Sequence, residues 1–302
     1  MLSVSPAKPE FVASIGNVNL AEPVSDDVFA AIDAAFNRYA VLIFHGQPLT
    51  EEQQNSFANR FGPLGFPIAP FRPANTQRLV RPESADISNV DEHGRVLTGQ
   101  NDARLLINRA NALWHTDSTF KRTPAKMSML CAQSVVPAGG ETEFADMRAA
   151  WDDLPVERKA HLVGLVAEHD YFHSRLKVGL DPNSISPDRR ALLPPVPQIL
   201  VRTNPVNGRK ALYIASHIKR IFGMSEAQSQ RLIEELTAHA TQPAYVYAHR
   251  WAVGDVVLWD NRCTMHRGRP HAPGLPRVMR RATAMDIGPS VPANWRPVLD
   301  TR

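Results

Sequence analysis

The strand-forming segments of this 302-residue chain lie mainly near its two ends, and this distribution constrains the fold more than any other feature. Short runs of apolar and β-branched residues, separated by turns that contain Gly or Pro, are typical of antiparallel strands. We predict strands at residues 11–20, 40–44, 126–136, 211–216, 244–249, 256–260 and 277–285. Strand runs on both sides of a long insert predict a mainly β fold, a double-stranded β-helix of jelly-roll or cupin-like type with helical and loop insertions. We therefore expect a single domain over residues 1–302, with an insertion at about 147–243 between the two halves of the barrel.

Helical periodicity and capping signals predict several helices around this barrel. Thr50 followed three residues later by Gln53 has the pattern of a capping box, in which each residue bonds to the other's backbone. Ser25 and Ser225 likewise precede segments whose apolar residues recur at helical spacing. The helices are predicted at residues 25–39, 50–61, 147–168 and 225–240.

Two long segments, residues 66–110 and 171–201, are rich in Pro and polar residues and are predicted to be irregular. A long loop in a compact protein is usually functional or mobile. For residues 66–110 we expect a loop on the substrate side of the barrel, with a poorly ordered surface excursion as the alternative.

The composition excludes several classes of protein. The formal net charge is +4, and no basic run is interleaved with aromatic residues, so nucleic-acid binding is not expected. No unbroken apolar run reaches the roughly 18 residues of a membrane span, and the N-terminus lacks the pattern of a secretory signal. Two cysteines argue against a disulfide framework, so we expect a cytoplasmic protein. A mild positive charge fits a small anionic substrate.

Residues 114–120 (WHTDSTF) are the strongest candidate for a metal site. On a strand, which their composition favours, His115 and Asp117 point to the same face and converge. His266 follows the strand at 256–260 and a turn at 261–265, and it is the candidate third ligand. Two histidines and a carboxylate form the facial triad of non-haem Fe(II) sites. A His-x-Asp pair alone is weak evidence, and a lone His near a strand end is more often a structural residue.

A pair of arginines on the last predicted strand is a candidate anion site. Arg277 and Arg281 would share a face with Met279, whereas Arg280 would point the other way. Guanidinium groups inside a barrel are costly unless anions meet them, and each offers a planar fork that suits a carboxylate. The alternative is a pair of surface arginines at the mouth of the barrel.

With these residues in view, the chain resembles the TauD/TfdA family of Fe(II)- and 2-oxoglutarate-dependent dioxygenases over nearly its whole length. The resemblance is greatest to the branch that acts on aryloxyalkanoate herbicides such as 2,4-dichlorophenoxyacetate. The matching motifs are WHTDSTF at residues 114–120, GGETEFADMR at 139–148 and the segment 254–267, which holds WDNR and HR.

The resemblance implies an iron centre and a co-substrate site. His115, Asp117 and His266 would bind Fe(II), leaving positions for 2-oxoglutarate and O2. Arg277, helped by the hydroxyl group of Thr142, would bind 2-oxoglutarate. A carboxylate at position 117, where related halogenases have Gly or Ala, implies hydroxylation, with release of succinate and CO2.

For the primary substrate, the resemblance implies that Arg281 holds a carboxylate and that His217 is a candidate for the pocket, against a structural role. An aryloxyacetate would yield a phenol and glyoxylate. Residues 66–104 and 171–197 differ from the family in length and composition, and they should cover the substrate side.

Three alternatives remain open from sequence. Arg281 could hold a sulfonate, as in taurine oxidation. A nucleic-acid demethylase is disfavoured by the long insert and by the missing basic, aromatic surface. A catalytically silent barrel that binds a small anion would be marked by a lost metal ligand, and none is lost. The sequence leaves open whether the protein is a homo-oligomer.

Overall fold

The computed structural model describes residues 2–68, 78–98 and 103–297, and its core is a seven-stranded sheet with strand order β1-β2-β3-β13-β5-β15-β4. Its strands are β1 Ser3–Lys8, β2 Val12–Gly16, β3 Val41–Phe44, β4 Ala85–Asp86, β5 Ala125–Ser134, β13 Val256–Asp260 and β15 Val278–Met285. The C-terminal strand β13 pairs antiparallel with β3 on one side and with β5 on the other. The two ends of the chain therefore interleave in one sheet.

A second sheet of three antiparallel strands, in the order β12-β6-β14, completes the barrel. Its strands are β6 Thr142–Asp146, β12 Val246–His249 and β14 Thr264–Gly268. Phe144 and Met265 of this sheet belong to the same buried cluster as Val257 and Trp259 of the large sheet. The two sheets thus share one apolar core, and the predicted jelly-roll fold is confirmed.

The opposite face of the large sheet is covered by α1 (Asp26–Tyr39) and α2 (Glu51–Asn59). The side chains of β13 alternate between the two faces of the sheet. Val256 and Leu258 pack with the helices, whereas Val257 and Trp259 face the barrel interior. The capping box predicted for α2 is present.

The insertion contains a separate small sheet and several helices. A three-stranded sheet has the order β11-β7-β8, and β9 pairs with β10. The strands are β7 Val166–His169, β8 Val196–Ile199, β9 Val201–Thr203, β10 Lys210–Leu212 and β11 Ile218–Ile221. The helices are α4 Met147–Asp152, α5 Val156–Leu162, α6 Tyr171–Leu176, α7 Pro187–Leu192 and α8 Glu226–Ala240, and Pro182–Ser184 is a 3-10 turn.

Several local predictions were wrong, among them the strand at 211–216, which ends at Leu212. Residues 166–168 were predicted to be helical but form β7, because pairing with β8 and β11 overrides local periodicity. Residues 171–201 were predicted to be irregular but contain α6, α7 and β8. Within the predicted loop 66–110, α3 spans Ala103–Asn111, while residues 69–77 and 99–102 lie outside the described part of the chain. In the described ranges no helix has the length and apolar character needed to cross a membrane.

Candidate metal centre and its two cavities

His115 and His266 face each other across an antiparallel bridge. The His115 amide donates to the His266 carbonyl at 3.0 Å, and the His266 amide donates to the His115 carbonyl at 2.8 Å. This pairing holds the two ring centroids 4.2 Å apart. His266 was predicted to follow a turn at residues 261–265, but it lies in the middle of β14, because the turn after β13 is shorter. The backbone of the barrel therefore positions both imidazoles.

Asp117 faces the same point from the start of a turn. A strand was predicted over residues 114–120, but pairing stops after His115, and Ser118 has a left-handed φ of 57°. Asp117 Oδ1 lies 3.9 Å from His115 Nε2, and Asp117 Oδ2 lies 3.7 Å from His266 Nε2. All three residues are buried, and their candidate ligand atoms lie within 4.8 Å of one another.

The three side chains fit an Fe(II) ion. The Leu113 carbonyl lies 2.8 Å from His115 Nδ1, which assigns the proton to that nitrogen and leaves Nε2 for a metal. Burial lowers the pKa of both His115 and His266, which favours neutral imidazoles. Burial opposes ionisation of Asp117, but the charge of Arg281, the two imidazoles and the hydrogen bond from Ser128 together outweigh burial, and the pKa of Asp117 is lowered. Two neutral imidazoles and one carboxylate are the ligands of a facial triad.

A buried hydrogen-bond network fixes the Asp117 carboxylate. Ser128 Oγ donates to Asp117 Oδ2 at 2.7 Å, and Asn261 Nδ2 donates to Ser128 Oγ at 3.0 Å. Asn261 Oδ1 accepts the Asp117 amide at 3.2 Å and the Trp259 indole N–H at 3.1 Å. Sequence reasoning missed Ser128, and it quoted Asn261 in a motif without giving it a role. Hydrogen-bond partners of this kind fix the orientation of a metal ligand.

Arg281 contacts the same carboxylate from the other side. Its Nη1 donates to Asp117 Oδ1 at 2.6 Å. On β15, Arg281 and Met279 face the interior, whereas the Arg280 side chain points to α2 and donates to Gln54 Oε1 at 2.6 Å. Arg281 lines both of the cavities that meet at His115. The alternative of surface arginines therefore does not apply to Arg281.

The larger cavity has a volume of about 570 Å³ and is lined by several cationic side chains. No carboxylate is found among the described residues that line it, but four arginines are: Arg109, Arg269, Arg277 and Arg281. Burial lowers the pKa of Arg277 to about 10, and its Nη2 donates to the Gly140 carbonyl at 3.2 Å. Thr142 Oγ1 accepts a hydrogen bond from Trp251 at 3.0 Å, so its own proton is available to a ligand. This space suits a small dianion.

The smaller cavity, of about 80 Å³, lies on the Asp117 side and contains His217. The ring of His217 lies 4.9 Å from that of Phe120 and 6.3 Å from that of His115. Thr119 Oγ1 lies 3.3 Å from His217 Nδ1, whereas the buried Nε2 has no partner among the described residues. Burial first, and then the charge of Arg175, lowers the pKa of His217 well below its usual range. His217 is therefore a neutral polar group that faces this cavity.

A jelly roll whose interior holds two histidines and one carboxylate, with open space on both sides, defines the class of mononuclear non-haem iron oxygenases. The family model described as taurine catabolism dioxygenase TauD, TfdA family, matches residues 3–283. The chain belongs to this family and is a 2-oxoglutarate-dependent non-haem iron dioxygenase that uses Fe(II), 2-oxoglutarate and O2.

Individual relatives agree with this assignment. The chain is 44% identical over 285 residues to the alpha-ketoglutarate-dependent 2,4-dichlorophenoxyacetate dioxygenase of Cupriavidus pinatubonensis, covering 93% of this chain and 97% of the relative. It is 38% identical over 281 residues to the (S)-phenoxypropionate/alpha-ketoglutarate-dioxygenase of Sphingobium herbicidovorans, covering 91% and 92%. The crystal structure of AAD-2 in complex with Mn(II) and N-oxalylglycine superimposes with a TM-score of 0.88 at 40% identity, covering 96% and 99%. The resemblance found from sequence is confirmed.

Proposed function

We propose that this enzyme hydroxylates a small carboxylic acid of the aryloxyalkanoate type. The observation that carries the proposal is the position of Arg281, which lies beside Asp117 at the junction of a cationic cavity and a cavity with aromatic walls. One cavity suits the 2-oxo acid and the other suits the compound to be oxidised. The names of the relatives at 44% and 38% identity favour an aryloxyalkanoate.

We assign the metal to His115, Asp117 and His266, whose ligand atoms lie within 4.8 Å of one another. Bound Fe(II) supplies the redox chemistry that couples O2 reduction to decarboxylation of 2-oxoglutarate and to hydroxylation of a C–H bond. His115 presents Nε2 because the Leu113 carbonyl fixes its tautomer. Asp117 fills the position that a halide ion would need, so hydroxylation is the expected outcome.

We assign 2-oxoglutarate to Thr142 and Arg277. Both residues line the larger cavity, together with His266. The Arg277 guanidinium has no carboxylate partner within ion-pairing distance among the described residues, and a bidentate carboxylate would satisfy it. The Thr142 hydroxyl group can donate to the same carboxylate because the Trp251 indole occupies one of its lone pairs.

We assign the carboxylate of the primary substrate to Arg281, and we place its ether oxygen or ring near His217 and Phe120. A neutral His217 can donate one hydrogen bond without adding a charge. For an aryloxyacetate, hydroxylation at the carbon next to the ether oxygen gives a hemiacetal. Its collapse releases a phenol and glyoxylate, while 2-oxoglutarate and O2 yield succinate, CO2 and the inserted oxygen atom.

A sulfonate, as in taurine oxidation, is the second candidate, because a guanidinium group also binds that anion. Within the proposal, residues 1–302 act as one catalytic domain with an insertion at about 147–243, in a cytoplasmic protein. Cys131 and Cys263 are both buried and unpaired, which supports a reducing compartment. Assembly into a homo-oligomer is a separate question that size-exclusion chromatography with light scattering answers.

The test is an anaerobic titration of the apoprotein with Fe(II) and 2-oxoglutarate, followed by phenoxyacetate, 2,4-dichlorophenoxyacetate or taurine. We expect a visible charge-transfer band that shifts with the aryloxyacetates, and then release of phenol and succinate in equal amounts when O2 is admitted. A shift with taurine alone would favour the sulfonate. The absence of any band would leave a silent anion-binding barrel. Asp117→Ala is the negative control, because it should abolish succinate formation while the fold is retained.

A further inference from the structure

Arg175 is a buried cation that the proposed reaction does not use. It lies on α6 with 9% of its surface exposed, and its guanidinium group sits 4.3 Å from the centre of the Tyr171 ring. Its Nη1 donates to Ser174 Oγ at 2.9 Å, but its buried Nε has no partner among the described residues. No described carboxylate lies within ion-pairing distance of it. A buried guanidinium without a counter-charge costs free energy unless a ligand supplies one.

The Arg175 side chain lines the smaller cavity next to the metal centre. Two other cations, Arg281 and Lys121, line the same space, and Lys121 donates to the Phe66 carbonyl at 2.7 Å. Of the two carboxylates in the lining, Asp117 is already bonded to Arg281 and Ser128. The other lining carboxylate, Glu83, forms no ion pair with Arg175, so the carboxylates of the cavity leave the Arg175 guanidinium group without a counter-charge.

A second unpartnered group faces the same space. His217 Nε2 is buried without a partner among the described residues, and its ring packs against Phe120 at 4.9 Å. Phe120 and Tyr171 form an edge-to-face pair at 5.0 Å, which fixes the aromatic wall beside Arg175. One planar acceptor group placed against this wall could bond to both Arg175 and His217.

We propose that Arg175, assisted by His217, forms a second anion subsite, which binds a carboxylate of the substrate additional to the one held by Arg281. The substrate class is then a compact dicarboxylic acid, such as an aryloxyalkanoate with a carboxyl group on its ring. This inference rests on the proposed function, in which the smaller cavity holds the primary substrate. A monoacid with an apolar ring would remove water from the Arg175 guanidinium and give it no charge in exchange.

The test compares dissociation constants for phenoxyacetate and for its 2-, 3- and 4-carboxy derivatives, measured on the anaerobic Fe(II)–2-oxoglutarate holoenzyme. We expect at least one derivative to bind about 10-fold more tightly than phenoxyacetate, the size of one charge-assisted hydrogen-bonded contact. Arg175→Met should remove that preference without weakening the binding of phenoxyacetate, because a monoacid gains nothing from Arg175, and Arg175→Lys should retain part of the preference. Arg231→Met, at an exposed position of α8, is the charge-matched control and should change neither affinity.

The outcomes separate the two proposals. If the wild-type protein binds phenoxyacetate but shows no preference for any dicarboxylate, the second subsite is wrong and the proposed function stands. If Arg175→Met weakens binding of all four acids equally, Arg175 acts on the shared carboxylate, and the subsite is again wrong. If the wild-type protein binds none of them, both proposals fail. The wild-type comparison decides the matter even if Arg175→Met does not fold.

Discussion

Arg281 Nη1 and Asp117 Oδ1 lie 2.6 Å apart, so the candidate iron ligand and the candidate substrate anchor are bonded to each other. The other oxygen of Asp117 accepts a hydrogen bond from Ser128 at 2.7 Å. The carboxylate is therefore held from both sides in the orientation that faces His115 and His266. Variants of the residues around it should change metal binding and substrate binding in distinct ways.

Ser128→Ala should weaken metal binding by about 10-fold, because Asp117 loses a buried hydrogen bond and Asn261 loses its acceptor. Isothermal titration with Mn(II) under anaerobic conditions measures this effect without turnover. Ser134→Ala, on the same strand but half-exposed, is the matched control and should bind Mn(II) like the wild-type protein. Unchanged affinity in Ser128→Ala would contradict the positioning role of Ser128.

Arg277→Met and Arg281→Met should affect different ligands. Arg277→Met should raise the KM for 2-oxoglutarate by about 10-fold or more, the effect of losing a charged hydrogen-bond partner. Arg281→Met should raise the KM for the primary substrate and also weaken metal binding, because Arg281 contacts Asp117. Arg280→Met serves as the control. It breaks the bond to Gln54 on the other face, so it should lower the Tm and leave both KM values unchanged. Interchanged effects of the first two variants would mean that their roles are reversed.

Gly140→Ala should impair binding of 2-oxoglutarate through Arg277. An added Cβ would lie 3.3 Å from Arg277 Nε and 3.0 Å from Val136 Cγ2, at a residue with φ of +71°. We expect a loss of about 1 kcal/mol of stability from the backbone and a higher KM for 2-oxoglutarate from the displaced guanidinium. Gly208→Ala isolates the second effect, because Gly208 also has φ of +71° but has nothing within 4 Å of the added Cβ. Equal KM values in the two variants would refute the crowding of Arg277.

His169 should make the protein less stable in acid. Burial lowers its pKa to about 3, and neither ring nitrogen has a partner among the described residues. The unfolded chain, with a histidine pKa of about 6.5, binds the proton more readily, so stability is lost as pH falls from that value toward the folded pKa. The limiting slope is about 1.4 kcal/mol per pH unit for one group. His169→Phe should flatten the dependence of the free energy of unfolding on pH, measured by urea denaturation between pH 7 and pH 4. An undiminished pH dependence in His169→Phe would contradict the role given to His169.

Sequence patterns predicted the fold and named the three residues that the structure brings together as the candidate metal centre, but not how these residues are placed. The predicted strand at 114–120 followed the β propensity of Trp114 and Thr116, yet Ser118 takes a left-handed conformation that turns the chain. The chain turns directly after Asp117, and no local propensity indicates this turn. Strand β14 around His266 was missed because it depends on pairing with β6, which is distant in the sequence.

Ser128 and Arg175 could not have been predicted, for a related reason. The role of Ser128 depends on the register in which β5 pairs with β13, where Ser128 lies opposite Trp259. Arg175 lies in a segment predicted to be irregular, and its helix α6 packs against α3 and β11, which are distant from it in the sequence. In contrast, the shared face of Arg277, Met279 and Arg281 could be predicted from the sequence, because alternate side chains of any strand point to the same face.

The bridge between His115 and His266 joins two positions that lie far apart in the sequence, so His266 is synthesised long after His115. The site cannot form on a nascent or truncated chain that ends before β14, because one imidazole and its backbone partner are then missing. With His266 as the proposed third ligand, the complete iron site requires both halves of the barrel. A chain that lacks β14 would therefore lack one proposed ligand and the backbone pairing that positions His115.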